Sequence, residues 1–290
     1  MTLHSHSSHR CAIGITASFL LTACSTSPPL VLPPSRSVVP ITINNIPRSY
    51  ILRFPKSYDA RTKLPLVMLL HGATDSAEYA EKAYHYDEKS ESENFILVLP
   101  DALGDIHAWN SYGDSPDTKN DLAFLTTLLE SLPKTYAIDT RRIYVTGHSS
   151  GAIMTYRLAG ERPDLIAAVG IVAGLVSDFP PPKGPVPIIA FHGRKDETLE
   201  YTGMAEALAF WAKTNRCPEK PATSEPVSPT VTRQTWTPAP GGADMVAYTL
   251  DNGNHMWPGG NIMPGKSIQP VQDLSATNVM WTFFKSHPHP

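Results

Sequence analysis

The sequence predicts an α/β fold: a mainly parallel sheet covered by helices on both faces. Three observations carry that prediction. Residues 64–70 and 95–99 are short, continuous apolar runs, the pattern of strands buried on both faces. Helix-compatible segments alternate with such runs along most of the chain, which implies parallel crossovers. One of them, residues 119–132, places apolar side chains at 122, 125, 128, 129 and 132, a helical period.

The elements follow in order. Residues 41–45 and 50–54 read as two early strands around Asn44-Asn45-Ile46-Pro47. Residues 76–89 are helical in composition, and 142–146 form a β-branched and aromatic strand. Residues 167–172 and 187–191 read as buried strands, 202–214 as a helix, 231–236 and 245–250 as late strands, and 273–284 as a closing helix. There is no internal repeat. Ligands of such sheets bind at the carboxyl ends of strands, and the candidate site residues sit at those ends.

The N-terminal residues are not part of this pattern. Residues 1–10 are polar with one arginine, and 11–23 are an apolar run too short to span a bilayer. The run ends in Leu21-Thr22-Ala23-Cys24, which resembles a bacterial lipobox. The expected organisation is a lipoprotein-type signal peptide over 1–23, a lipidated Cys24, a Pro- and Ser-rich tether over 24–40, and one catalytic domain over 41–290. A plain signal peptide cut near Ala23 is the alternative. Lipoprotein processing removes Cys11 and puts lipid on Cys24, which leaves Cys217 without an intrachain disulfide partner, so Cys217 reads as a partly buried structural thiol. A net charge of -3 gives no reason to expect nucleic acid, and no cluster has metal-ligand spacing. No cofactor is implied.

Chemistry enters at Gly147-His148-Ser149-Ser150-Gly151. A strand-forming run precedes it and a helix-compatible segment follows, so Ser149 stands at the apex of a strand-turn-helix. Serine needs a base and an orienting acid to act as a nucleophile. In α/β-hydrolases these follow in the order Ser, Asp or Glu, His. The strand at 187–191 runs into His192-Gly193-Arg194-Lys195-Asp196, which makes Asp196 the candidate acid, with Asp178 and Glu197 as weaker alternatives. The strand at 245–250 leads into a glycine-flanked loop carrying His255, the candidate base. His192 competes for that role but precedes a turn glycine and reads as a brace. The oxyanion donors are expected to be the N–H of Ser150 and, from the loop His71-Gly72-Ala73-Thr74, the N–H of Ala73.

These residues carry a resemblance. His71-Gly72, the block 120–125, the run 138–151, Phe191-His192-Gly193-x-x-Asp196 and His255-x-Trp257-Pro258-Gly259-Gly260 appear in that order. Together they resemble the poly(3-hydroxybutyrate) depolymerase and feruloyl/acetylxylan esterase group, including its lipoprotein-type members, over nearly the whole of the expected mature domain. The resemblance implies the α/β-hydrolase fold, with Ser149 as nucleophile, Asp196 as orienter and His255 as base. Trp109-Asn110 is similar to a Trp-Asn pair of that group near the substrate. The chain departs from the group where members often carry Ser-Asn-Gly-Gly; here the elbow reads Ser149-Ser150-Gly151-Ala152. It departs again around the acid, with Arg194-Lys195 before it and Leu199-Glu200-Tyr201 after it.

Trp109 and Trp257 lie on loops at the catalytic end and are candidate substrate readers, since sugars and phenolic rings stack on indole faces. Packing that supports the loops is the other reading. The expected activity is that of an exported serine esterase acting through an acyl-enzyme on feruloyl, acetyl-xylan or short hydroxyalkanoate esters. With no room for a separate binding module, soluble or short-chain esters are expected over crystalline polyester. The partner is thus a small or oligomeric ester, and the membrane is reached only through the N-terminal lipid anchor. Acyl transfer to a sugar or lipid acceptor, and a surface binding protein on a hydrolase scaffold, are the alternatives.

Overall fold

The computed structural model describes residues 1–2, 32–111, 119–176, 180–261 and 268–289. The chain divides into Met1–Val31 and Leu32–Pro290, and every element described lies in the second unit. The expected signal segment and Cys24 fall outside the described residues, apart from Met1 and Thr2.

Two strands, β1 (Arg36–Ile43) and β2 (Ile46–Arg53), form a hairpin closed by Asn44 and Asn45 at φ of 48° and 67°. A two-residue hairpin turn needs positive φ at both positions, and asparagine tolerates it. The hairpin corrects the expected tether over 24–40: the ordered domain begins before residue 41, with residues 36–40 already in β1. Pro40 made that stretch read as linker, but β1 is an edge strand, where a missing N–H costs little. Arg36 is also tied down, with Nη2 2.9 Å from Oε2 of buried Glu81.

The remaining elements are β3 (Leu64–Leu70), α1 (Ala77–Ala83), α2 (Tyr86–Glu93), β4 (Ile96–Pro100), α3 (Asp121–Thr135), β5 (Ile138–His148), α4 (Ser150–Glu161), β6 (Ala168–Val172), β7 (Ile188–Gly193), α5 (Thr202–Thr214), β8 (Thr223–Ser228), β9 (Val231–Trp236), β10 (Met245–Leu250) and α6 (Ala276–Ser286). The helix expected over 76–89 is two helices, because His85 adopts φ 58° between them. The strand β8 has no counterpart in the sequence reading. It is polar, almost wholly exposed and contains Pro226, and it pairs only with β9 at the opposite edge of the sheet.

Among the described residues ten strands form one sheet in the order β1-β2-β4-β3-β5-β6-β7-β10-β9-β8. The six central strands from β4 to β10 are parallel, and the outer pairs are antiparallel. Strand alternation splits the core into two layers. Leu66, Met68 and Leu70 of β3 face one layer with Phe124, Leu128, Met154, Leu158 and Trp211 from α3, α4 and α5. Val67 and Leu69 face the other with Ala80, Met280, Trp281 and Phe284 from α1 and α6. Each such fully buried aliphatic side chain contributes roughly 1.5–3 kcal/mol.

Register places the functional loops together. Leu70 pairs with Gly147, His148 with Val172, and Leu250 with Gly193. The carboxyl ends of β3, β5, β7 and β10 therefore open onto one rim, the expected position for a ligand in such a sheet. Among the described residues no helix is long and apolar enough to cross a membrane.

Candidate active site

Ser149 sits between β5 and α4 with φ 53° and ψ -120°, a backbone conformation that is strained for a residue with a side chain. Its surroundings enforce the turn. A Cβ on Gly151 would stand 2.4 Å from the carbonyl oxygen of Leu70, and one on Gly147 would stand 2.4 Å from the backbone of Gly151. Only glycine permits that approach of elbow to β3. The Ser149 N–H donates to Val172 O at 3.0 Å, which fixes the apex to β6. The hydroxyl thus projects from the sheet beside the amino end of α4, whose dipole favours negative charge there.

The structure brings Ser149, His255 and Asp196 together. His255 Nε2 is 2.8 Å from Ser149 Oγ, and His255 Nδ1 is 2.8 Å from Asp196 Oδ2 and 3.0 Å from Oδ1. The acid and base loops meet because Gly193 and Gly253 touch backbone to backbone; a Cβ on Gly193 would lie 2.2 Å from Gly253 C. The Asp196 side chain is inaccessible to solvent, while that of His255 is 18% exposed, as access from the substrate side requires. Burial would raise the Asp196 pKa. Hydrogen bonds from His192, His255 and the Leu199 N–H outweigh it and hold the carboxyl well below the usual range. Asp196 therefore stays ionised. The competing residues take other places: Glu197 is exposed, Asp178 lies outside the described residues, and His192 directs Nε2 to Leu199 O at 2.8 Å and to Asp196 Oδ2 at 3.3 Å. His192 is a brace on the acid loop.

Ala73 and Ser149 line one cavity of about 150 Å³, together with Asp75, Tyr79, Tyr84 and Met256. Among the described residues the N–H groups of Ala73 and Ser150 have no acceptor within the chain. The loop that carries Ala73 is held by His71, whose Nδ1 lies 2.7 Å from Gly72 O while the Ala102 N–H donates to Nε2 at 3.0 Å.

Trp109 and Trp257 are both nearly buried and packed as loop supports, although Trp257 also borders the cavity lined by Ser149. Trp109 is 3% exposed; its indole N–H donates to His71 O at 2.9 Å, and its backbone N–H donates to Ser150 Oγ at 3.0 Å. Trp257 is 2% exposed, stacked on Tyr84 at 4.3 Å, and donates to Thr277 Oγ1 at 3.0 Å. Both hold loops in place. The sequence reading did not single out His148, Tyr84, Asp75 or Tyr79, which form much of the cavity wall. Only His148 had a signal, its place inside the Gly-x-Ser motif.

Residues 48–180 match the family model described as Esterase PHB depolymerase. A bifunctional acetylxylan esterase/xylanase of Neocallimastix patriciarum is 28% identical over 223 residues, covering 75% of this chain and 31% of that protein. Feruloyl esterase B of Talaromyces funiculosus is 31% identical over 117 residues, covering 39% of this chain and 33% of that protein. The chain spans about a third of the length of these two relatives. An acetyl xylan esterase from Aspergillus awamori shares the fold, with a TM-score of 0.67 over 86% of this chain and 99% of that chain at 16% identity. The architecture is the α/β-hydrolase fold that the motifs implied. Residues 48–180 thus resemble the Esterase PHB depolymerase family, and the similar proteins include acetylxylan and feruloyl esterases.

Proposed function

We propose that this protein is an exported serine esterase that hydrolyses carboxylic esters through Ser149, His255 and Asp196. The observation that carries the reading is the unbroken hydrogen-bonded line from Asp196 through His255 to Ser149 Oγ, ending on a strained elbow beside a cavity. His255 Nε2 accepts the Ser149 proton as Oγ attacks the ester carbonyl carbon. The carbonyl oxygen takes up the negative charge and meets the N–H groups of Ala73 and Ser150. Collapse breaks the C–O bond to the alcohol, which leaves with the proton from His255. Water then attacks the acyl-enzyme, giving its proton to His255. The acid is released and Ser149 recovers its hydrogen. Ionised Asp196 keeps hydrogen on Nδ1 and stabilises the transient imidazolium.

The names of the relatives support acetylxylan or feruloyl esters as substrates, with short hydroxyalkanoate esters as the other class that the matching family model suggests. The proposal also keeps the N-terminal expectation of export with a lipid on Cys24. Replacing Cys24 by serine should abolish palmitate incorporation in a bacterial host; undiminished labelling would refute the anchor.

The direct test is Ser149→Ala, assayed on p-nitrophenyl acetate beside a fluorophosphonate label. Loss of both activity and labelling is expected. Activity equal to wild type would overturn the reading. A panel of acetyl-xylan, feruloyl and hydroxybutyrate oligomers ranked by kcat/KM then assigns the ester, and product analysis with an added acceptor alcohol separates hydrolysis from acyl transfer.

A further inference from the structure

His148 has no part in the chemistry just described, yet it is only 6% exposed and both of its ring nitrogens are engaged. Nδ1 lies 3.0 Å from the Tyr84 hydroxyl, and Nε2 lies 2.6 Å from the backbone carbonyl oxygen of His255. A carbonyl oxygen only accepts, so Nε2 must carry a hydrogen and donate it. Nδ1 faces the Tyr84 hydroxyl, which also hydrogen-bonds the Asp75 carboxylate. The His255 carbonyl thus fixes a hydrogen on Nε2.

Tyr84 is itself fixed. Its ring stacks on Trp257 with the planes 12° apart, and its backbone carbonyl accepts from Thr277 Oγ1 at 2.6 Å. Burial, and after it the negative charge of Asp75, push the phenol pKa well above its ordinary value, so the hydroxyl keeps its proton. The His255 main chain needs such a clamp. Its side chain is held by Asp196 and Ser149, but its backbone is on a loop beyond β10. Among the described residues His148 is the one hydrogen-bond partner recorded for that backbone. The elbow therefore reaches the base twice, through Ser149 Oγ to the ring and through His148 to the carbonyl.

We propose that His148 is a positioning residue, its Nε2–H oriented by Tyr84 and clamping the His255 carbonyl so that the imidazole stays in line with Ser149 Oγ. The proposal rests on the reading of Ser149 and His255 as nucleophile and base. His148 acts through His255 and forms no bond to the reacting ester.

The test compares His148→Gln with His148→Asn in the full chain. A glutamine amide nitrogen sits where Nε2 sits and can donate to the His255 carbonyl. An asparagine amide reaches only the Nδ1 level. His148→Asn should lower kcat about 10–100-fold by letting the base drift, a loss in keeping with misplacement of a catalytic group. Its KM should stay within about threefold, since the clamp does not bind substrate. His148→Gln should recover most of the lost kcat, and the rate of fluorophosphonate labelling at Ser149 should follow the same order. Tyr84→Phe, which removes the hydroxyl facing Nδ1, should give a smaller kcat loss of the same kind and covers the case in which His148→Asn fails to fold. Wild-type kcat in His148→Asn, or equal losses in the Asn and Gln variants, would overturn the clamp. If wild type does not label at Ser149, the nucleophile reading itself fails. If it labels and His148→Asn labels equally fast, only the clamp fails.

Discussion

Asp196 faces His255 with both carboxylate oxygens, 3.0 Å and 2.8 Å from Nδ1, while Oδ1 also accepts the N–H groups of Thr198 and Leu199 at 2.9 Å each. The carboxylate is thus held by its own loop and offered to the base in a fixed direction. Asp196→Asn should preserve the fold and lower kcat by roughly three to four orders of magnitude, because an amide favours the wrong imidazole tautomer. Glu197→Gln, at an exposed position, should leave kcat near wild type. Steady-state rates of the two variants on one p-nitrophenyl ester check the assignment; a collapse in Glu197→Gln alone would move the acid.

The same carboxylate gives a pH signature in stability. Its folded pKa is depressed below the ordinary value, so the unfolded chain takes up the proton first as pH falls. Its stabilisation is fully present above the unfolded carboxylate range, at about pH 5, and declines as pH drops below about 4. Urea unfolding of wild type and Asp196→Asn should therefore show a stability gap at pH 7 that narrows at pH 3. A constant gap would mean that the charge of Asp196 contributes nothing to folding.

The tryptophans separate a stability effect from a binding effect. Trp109→Phe removes the donor to the buried His71 carbonyl, a loss of about 1–3 kcal/mol when a buried acceptor is left unpaired. Trp257→Phe removes the bond to Thr277 Oγ1 in the same way. Both should lower the melting temperature and leave KM unchanged. A raised KM with an unchanged melting temperature would restore a substrate-contacting role.

Local grammar explains what was legible in the sequence. Apolar runs announced β3 and β4, and the strand-turn-helix around Gly147-x-Ser149-x-Gly151 announced the elbow. Strand ends then pointed to Asp196 and His255, since a parallel sheet aligns its carboxyl ends. What escaped depends on partners that the chain brings from afar. His148 meets Tyr84 across 64 positions and His255 across 107, and no spacing rule links them. The packing of Trp257 on Tyr84 and its bond to Thr277 likewise come from residues that no spacing rule links to it. Strand β8 is exposed and polar, so it has no apolar period to detect. The split of α1 from α2 depends on one residue, His85, in a left-handed conformation that composition does not announce.

The elbow itself predicts a packing failure. Alanine at 151 would put a methyl group 2.4 Å from Leu70 O and 2.5 Å from His71 O, both backbone atoms with no room to yield. Gly151→Ala should destabilise the fold by about 1–3 kcal/mol or more, the usual cost of overpacking. Because β3 also leads into the Ala73 loop, residual folded protein should label slowly with fluorophosphonate. Wild-type melting and labelling in this variant would show that the elbow can move away from β3.

Arg48 and Asp121 give the last prediction, one of stability remote from the hydroxyl. Their side chains are fully buried, with Nη1 2.8 Å from Oδ1. Arg48 also donates to Lys119 O at 2.7 Å and Asp101 O at 3.1 Å, and its guanidinium lies 4.2 Å from the centre of the Phe124 ring. Asp121 Oδ2 accepts the Asn110 N–H at 2.7 Å, which ties this pair to the segment carrying Trp109. Asp121→Ala leaves a buried guanidinium without its counter-charge and should cost about 3–5 kcal/mol. Arg48→Met paired with Asp121→Leu removes both charges but orphans three backbone groups, so it should still be destabilising. Its loss should fall short of the sum of the two single losses by about 0.5–3 kcal/mol, the coupling of a contacting pair. Chemical unfolding of wild type, the two single variants and the double closes the cycle. Strict additivity would mean that the two charges are stabilised by their backbone partners and not by each other.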